Sequence, residues 1–369
     1  MKIIIGADLV PTPQNFDLFT AGNAEALVGK KVKKALDEAD FRIFNLELAL
    51  TDKETPIRKG GPNIGAPTAT VKGYEALGVD LLGVSNNHIL DHGYEGFVST
   101  LNTLDKAGIA HVGAGMTKEE AKKPYFFEKE GKKVGVYACC EHEFSWVEDY
   151  GFGANGFDPL DALDDIVAAK KECDYLIVLY HGGKEHYRYP SPHLVKVCRK
   201  IVEKGADIVL CQHTHCIGTE EDYLGGKIIY GQGNFIFAKN YAGIPTWGEG
   251  FLVQVELTNE GVNYTYIPYN KTDVGLEYDE TGKLLEGLAV RSEEIKKPGF
   301  IEESFAKMAE ETVATRYIQH MLGHMPTQED YDSHGIAFFH FAECDVHHEC
   351  LLTGMRKKLG LGKYGEFKK

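Results

Sequence analysis

No run of about 18 apolar residues occurs in this sequence, so a membrane-spanning helix is not expected. The N-terminal stretch Met1-Lys2-Ile3-Ile4-Ile5-Gly6-Ala7-Asp8 is too short an apolar run for a signal peptide and reads as a first strand. None of the eight cysteines forms a Cys-x-x-Cys pair, which removes the usual cysteine zinc signature. Cys173, Cys198 and Cys211 lie in or beside apolar periodic segments and read as buried thiols. That usage points to a reducing, cytoplasmic compartment rather than a disulfide framework. Positive charge is scarce: 40 Lys+Arg against 55 Asp+Glu give a net charge of −15. Such acidity argues against a general nucleic-acid or anionic-membrane binder. An anionic substrate would need a local cation. Also missing are a P-loop and a Gly-x-Ser-x-Gly elbow. Gly113-Ala114-Gly115 and Gly231-Gln232-Gly233 lack the third glycine of a dinucleotide fingerprint and read as tight turns.

What is present is 369 residues with 43% hydrophobic and 26% charged content, ordinary for a chain that buries a full core unaided. That length allows two or three domains, or one large α/β domain with an appendage. Strand-like and helix-like segments alternate through the first two-thirds. Strands are expected at 2–7, 41–46, 79–84, 109–112, 134–138, 175–180 and 208–211, with helices at 25–39, 68–77, 94–107, 159–171 and 192–204. Continuous apolar strands between amphipathic helices indicate an α/β fold whose sheet is covered on both faces. After residue 226 the helices stop. Segments 227–230, 234–237, 251–257 and 262–268 read as a second, antiparallel sheet, with Thr258-Asn259-Glu260-Gly261 as a hairpin turn. Residues 1–270 are therefore taken as the main unit, 271–298 as a linker or peripheral segment, and 299–369 as a helical C-terminal extension. Phe305, Met308, Val313, Tyr317, Ile318 and Met321 are its apolar positions, and a basic tail holding Arg356, Lys357, Lys358, Lys363, Lys368 and Lys369 reads as a disordered terminus. The extension either covers the sheet or forms a homo-oligomer contact; both stay open.

Polar residues gather where strands end. Asp8 follows the first strand; Asn45 and Glu47 end the second; Asn86, Asn87 and His88, with Asp91 beyond, follow the third. His181 and Gln212-His213-Thr214-His215 follow two later strands. Taken as five strands of one sheet, they deliver acid/base and metal-competent side chains to one edge, where α/β sheets bind ligands. A single strand-ending Asp is more often a helix cap; the joint pattern carries the reading. His213-x-His215 is its strongest element, because two imidazoles just past a strand can converge on Zn, Fe, Mn or Ni while carboxylates neutralise charge. Cys139-Cys140 reads as core. His347-His348, with Glu343 and Asp345, reads as a solvated helix face rather than a metal site.

These blocks resemble the CapA family, also called the poly-γ-glutamate capsule synthesis family. The matching runs are Gly6-Ala7-Asp8, Asn45-Leu46-Glu47, Ser85-Asn86-Asn87-His88-x-x-Asp91-x-Gly93, and His181-Gly182-Gly183-x-Glu185. The fifth extends from Gly205-Ala206-Asp207 through Gln212-His213-Thr214-His215 to Tyr230-x-x-Gly233-Asn234-Phe235-Ile236-Phe237. The family is similar to the calcineurin-like metallophosphoesterases, so the resemblance implies a four-layer α/β/β/α sandwich with one or two divalent metal ions (Mn, Fe or Zn). It implies that Asp8 and His215 bind the first metal and that Asn87, His181 and His213 bind the second, with Glu47 in the bridging place. His88 would be the acid near the leaving group, and Asp91 would orient His88 or a neighbouring loop. Glu185 and Asn234 would stand at the rim or behind the ligands. The implied activity is hydrolysis, a metal-bound hydroxide attacking a phosphoester or a γ-glutamyl-type amide of an anionic small molecule or polymer in capsule or polyglutamate metabolism. The alternative is a non-catalytic polyanion-binding or synthase-accessory protein with a degenerate centre. Three departures bear on that choice. Val10 stands where the parent superfamily has a histidine, Glu47 replaces the shorter Asp, and Gln212 replaces the Gly usual before His-x-His. The first site is thereby one imidazole short, and Glu185 is a candidate to complete it.

Overall fold

The structure, a computed structural model, describes residues 1–237, 244–317 and 327–361. Side-chain alternation in the strands determines its layering. In Lys2–Asp8, Ile3 and Ile5 join one apolar cluster with Val134, Val136, Ile177 and Leu179. Ile4, one residue out of phase, joins another cluster with the helix residues Leu27, Val32, Phe97 and Leu104. The period of two in a strand produces this division. A third cluster sets Leu176, Val178 and Tyr180 against Ile166, Leu194, Cys198 and Ile201. Each fully buried Leu, Ile or Val contributes about 1.5–3 kcal/mol to such cores.

The strands form two principal sheets, not one. A seven-stranded sheet runs in the order Leu276–Tyr278, Val262–Lys271, Glu249–Leu257, Lys2–Asp8, Phe41–Asn45, Leu81–Gly83, Ala110–Val112. A six-stranded sheet runs Glu220–Tyr223, Gly226–Ile229, Ile208–Gln212, Tyr175–His181, Lys132–Cys140, Tyr125–Lys129. The strand ends expected on one sheet edge therefore belong to two: Asp8 and Asn45 end strands of the larger sheet, and His181 and Gln212 end strands of the smaller. Nor does a separate antiparallel sheet follow residue 226. Gly226–Ile229 lies parallel to Ile208–Gln212, while Glu249–Leu257 pairs antiparallel with Lys2–Asp8 and extends the larger sheet. The hairpin at 258–261 does form, joining Glu249–Leu257 to Val262–Lys271, but a local turn does not specify which sheet edge the hairpin joins. Segment 234–237 is not a strand; it makes only the isolated bridge Leu9 to Ile236.

The crossover helices carry ordinary end signals. Ser191 caps Pro192–Glu203 by accepting from the Leu194 amide at 3.1 Å, with Pro192 in the first turn. Segment 271–298, taken as a linker or peripheral segment, contains the strand Leu276–Tyr278 and the helix Lys283–Glu294. Leu288 of that helix is buried in the cluster between the sheets, and Arg291 donates to the Gly218 and Ile217 carbonyls at 3.1 and 3.2 Å.

The helices Phe300–Thr312, Ile336–Glu343 and Asp345–Lys358 build their own apolar cluster around Phe305, Val313, Tyr317, Phe341 and Cys350. It abuts the main unit through Tyr187, whose hydroxyl meets Ser304 Oγ at 2.7 Å, and through Glu349, which accepts from the His193 amide at 3.1 Å. Arg356, Lys357 and Lys358, expected in a disordered tail, form the last turn of Asp345–Lys358, where cations favour the helix dipole. Ile318, Met321, Lys363, Lys368 and Lys369 lie outside the described residues. Among the described residues, no helix is long and apolar enough to cross a membrane.

Candidate metal centre

The two sheets end side by side, and their strand ends supply a buried polar cluster. Asp8 closes the first strand; its backbone carbonyl accepts from the Phe235 amide at 2.9 Å, and the Leu9 amide donates to the Asn45 carbonyl at 2.8 Å. These bonds fasten the loop carrying Asn234 beside Asp8. Gly233 makes that approach possible: its φ is +74°, and a Cβ there would lie 2.3 Å from the Glu249 carbonyl oxygen. From the other sheet, His213 and His215 follow Ile208–Gln212 with φ of +84° and +54°. Left-handed backbone at a residue other than glycine costs about 1–3 kcal/mol, and such strain concentrates at functional sites. It turns both imidazoles inward, each being about as buried as Asp8.

Two triads result, and Glu47 belongs to both. Asp8, Glu47 and His215 each offer one donor atom within 4.8 Å of the others, as do Glu47, His181 and His213. His215 Nδ1 is 3.4 Å from Asp8 Oδ2, and its Nε2 is 3.9 Å from Glu47 Oε1. Glu47 Oε1 is 3.4 Å from His181 Nε2 and 4.0 Å from His213 Nδ1. Asn87 Oδ1 sits 3.0 Å from His181 Nε2. Glu185 Oε1 is 4.0 Å from His215 Nε2, within reach of the first triad. Val10 is fully buried in the apolar cluster and has no donor to add. Every residue expected at a metal is thus brought together at one place.

Electrostatics readies His181 and His213 to ligate, whereas His215 and, in part, Glu47 would give up a proton to a cation. Burial, reinforced by the Asp8 charge, raises the Glu47 carboxyl to about 7. Burial lowers His181 and His213 to about 4, so both present lone pairs at neutral pH. Burial alone would also lower His215, but the Glu47 and Asp8 carboxylates outweigh it and bring it to about 9. Both Glu47 oxygens and His213 Nδ1 are buried without a hydrogen-bond partner. A buried carboxyl without hydrogen bonds is costly to ionise, which is the physical cause of its raised value. A divalent cation held by these residues would remove that cost, and the mixed carboxylate, amide and imidazole set suits Mn, Fe or Zn. The residues present fit the group that the family resemblance implies.

Beside the triads lies a histidine–aspartate pair. His88 Nδ1 is 2.6 Å from Asp91 Oδ2, which also accepts from the Ile64 amide at 2.6 Å. Lys59 pairs with Asp91 Oδ1 and stands 3.2 Å from His88 Nδ1. Lys59 heads a cleft of about 600 Å³ that Arg58, His142, Phe144 and Phe339 also line.

Sequence reasoning missed four members of this neighbourhood. Asn45, noted as a strand end and within a matching run but given no role, donates to Asp8 Oδ1 at 2.7 Å and reaches His181 Nδ1 at 3.4 Å. Lys59 comes from an irregular loop with no motif. Lys271 is buried over the Trp247 ring, and with the Asn234 amide turned so that its nitrogen faces His215 and Asp8, the Asn234 oxygen accepts from Lys271 Nζ at 3.0 Å. Glu143, from the loop after Lys132–Cys140, places Oε2 3.6 Å from His213 Nε2. The only available signal for Lys271 and Glu143 was charge at the end of an apolar strand. His347, expected on a solvated face, is instead buried, while His348 is exposed.

Comparison with known proteins agrees with the sequence blocks. The capsule biosynthesis protein CapA of Bacillus anthracis is 28% identical over 244 residues, covering 63% of this chain and 58% of the relative. The PGA biosynthesis protein CapA of Bacillus subtilis is 30% identical over 199 residues, covering 52% and 50%. A probable polyglutamine synthesis accessory protein of Mycobacterium tuberculosis is 29% identical over 219 residues, covering 56% and 57%. The chain thus spans between half and three-fifths of the length of these relatives. Among solved structures, a putative 5'-nucleotidase from Staphylococcus aureus aligns over 80% of this chain and 58% of its own, at 14% identity and a TM-score of 0.46. A hypothetical protein from Thermus thermophilus aligns over 74% and 100%, at 15% identity and a TM-score of 0.44. The sequence profile described as "Bacterial capsule synthesis protein PGA_cap" matches residues 15–239, and the chain belongs to that family.

Proposed function

We propose that this chain is a metal-dependent hydrolase of an anionic substrate, cleaving a phosphoester or a γ-glutamyl-type amide in capsule or polyglutamate metabolism. The observation that carries the proposal is Glu47, a buried carboxylate with both oxygens unpartnered, shared by two triads of donors. Asp8, Glu47, Asn87, His181, His213 and His215 would hold one or two ions of Mn, Fe or Zn. A divalent ion so bound acidifies water and polarises a phosphoryl or carbonyl oxygen. Asp91 fixes His88 through Nδ1, leaving Nε2 to donate a proton to the departing oxygen or nitrogen. Asn45 orients Asp8, and Asn234 orients His215. A bound cation would supply the positive charge that an anionic substrate needs on a chain of net charge −15.

The architecture proposed is the four-layer α/β/β/α sandwich of the metallophosphoesterase type, supported by an apolar cluster between the sheets and a helix-facing cluster outside each. Residues 1–270 would be the catalytic unit, 271–298 a peripheral segment and 299–369 the extension. The test is Mn²⁺-dependent hydrolysis of a generic phosphodiester and a γ-glutamyl peptide by wild type and His213→Ala. Turnover lost in the variant supports the proposal; turnover unaffected by it contradicts it.

One observation favours a second reading. Val10 leaves the first triad without a further imidazole, and one relative is named a synthesis accessory protein. The chain would then bind a polyanion without turning it over. Binding that survives His88→Ala, with no hydrolysis by wild type, selects this reading; hydrolysis sensitive to His88 rejects it.

A further inference from the structure

The C-terminal helices bring donors to the main unit that the Glu47 centre does not use. His340 lies in the helix Ile336–Glu343. Cys344 is the junction residue, with φ −68° and ψ 128°, that ends this helix and starts Asp345–Lys358. His347 follows within the first turn of that second helix. Facing them is Glu143, next to Phe144, whose φ of +60° turns the loop. One donor atom from each of Glu143, His340, Cys344 and His347 lies within 4.8 Å of the other three. Glu143, Cys344 and His347 are 8%, 2% and 2% exposed.

Local contacts orient the set. His340 Nε2 is 2.7 Å from Glu143 Oε1. The Tyr317 hydroxyl engages His347 Nδ1, leaving Nε2 as the ring nitrogen open to a ligand role. Fixing one imidazole nitrogen by an outer hydrogen bond is how proteins present the other to a metal. Bond lengths of about 2.0–2.3 Å in a tetrahedral site place donors roughly 3.3–3.8 Å apart, so a pair at the 4.8 Å limit would have to close by about 1.0–1.5 Å on an ion.

We propose that Glu143, His340, Cys344 and His347 form a second divalent-cation site of the zinc type, distinct from the centre around Glu47. Thiolate and imidazole donors together select Zn²⁺ over the harder cations. Four protein ligands leave no open position, the pattern of a structural ion. On binding, the Cys344 thiol releases its proton to solvent as sulfur takes the metal. The ion would pin both helices to the Glu143 loop. Glu143 Oε2 meanwhile faces His213 at 3.6 Å, so the site would also steady one ligand of the main centre. Nothing in this inference requires catalysis.

The test uses the full chain, stripped of metal and reloaded with Co²⁺. None of the donors expected at the Glu47 centre is a cysteine, so a thiolate-to-cobalt charge-transfer band reports the second site alone. The band is expected in wild type and in Asp8→Asn. It should vanish in Cys344→Ser, together with one metal equivalent per chain, and weaken in His347→Gln. A wild-type chain without the band, or a band unchanged in Cys344→Ser, overturns the proposal. If Cys344→Ser does not fold, His347→Gln decides: an unaltered cobalt spectrum overturns it. Failure of the main centre would instead appear as unchanged metal content in Asp8→Asn, with the band intact.

Discussion

His213 stands between two carboxylates: its Nδ1 is 4.0 Å from Glu47 Oε1 and its Nε2 is 3.6 Å from Glu143 Oε2. Glu143 in turn meets His340 Nε2 at 2.7 Å through its other oxygen. A continuous polar chain therefore runs from the strand ends, through one imidazole, to the C-terminal helices. It points Nδ1 of His213 towards Glu47 and Nε2 towards Glu143, both gaps being longer than a hydrogen bond.

Removing that support should weaken the centre without abolishing it. Glu143→Gln keeps the shape but not the charge, and outer partners of ligating histidines are typically worth about 10–100-fold in metal affinity. Calorimetric titration with Mn²⁺ should show a loss in that range. Unchanged affinity would mean that Glu143 does not orient His213.

His88 and Asp91 are expected to act on turnover rather than on metal content. A positioned general acid contributes about 10²–10⁴ in rate, so His88→Ala should lower kcat by that factor with the same bound metal. Asp91→Asn should lower it less, because the imidazole remains but loses its anchor. A His88 variant with full activity would remove it from the mechanism.

The Asp91 ion pairs also carry a pH signature. Burial opposes ionisation of Asp91, but His88 and Lys59 outweigh it and hold the carboxyl below 3.8. A folded-state value below the unfolded one means that the stabilisation is present above pH 3.8 and is lost as pH falls through the depressed value. Thermal midpoints of wild type should therefore fall more steeply with acid below that pH than those of Asp91→Asn. Parallel curves would contradict the pairing.

Gly233 offers a test of how the loop seats Asn234. Gly233→Ala places a Cβ 2.3 Å from the Glu249 carbonyl oxygen at a φ of +74°. The left-handed conformation alone costs about 1–2 kcal/mol, and the clash adds to it. Urea unfolding should register at least that loss, with weaker metal binding because Asn234 and Asp8 shift. A neutral substitution would show that the loop is not tightly seated.

The site was legible in the primary chain to the extent that strands deliver side chains at their ends. Asp8, Glu47, Asn87, His181, His213 and His215 follow apolar runs whose period is visible locally. Which strands share a sheet is not local information: Glu249–Leu257 adds to the edge of Lys2–Asp8 from the far end of the main unit, and nothing in its own pattern says so. Glu143, Lys59 and Lys271 escaped for a related reason. Each is a charged residue in a loop or at a strand end, and only tertiary packing buries it. His347 misled because its neighbours in sequence, Glu343, Asp345 and His348, are exposed. Its partners are Glu143 and Tyr317, brought by other elements.

The most direct test of the Glu47 centre is elemental analysis of protein purified without chelator, wild type against Glu47→Gln. If Glu47 joins two triads around a divalent cation, wild type carries at least one Mn, Fe or Zn per chain that the variant lacks. Equal metal content in the two proteins, or a wild type that stays empty and unshifted in thermal midpoint after incubation with Mn²⁺, Zn²⁺ and Fe²⁺, would contradict it.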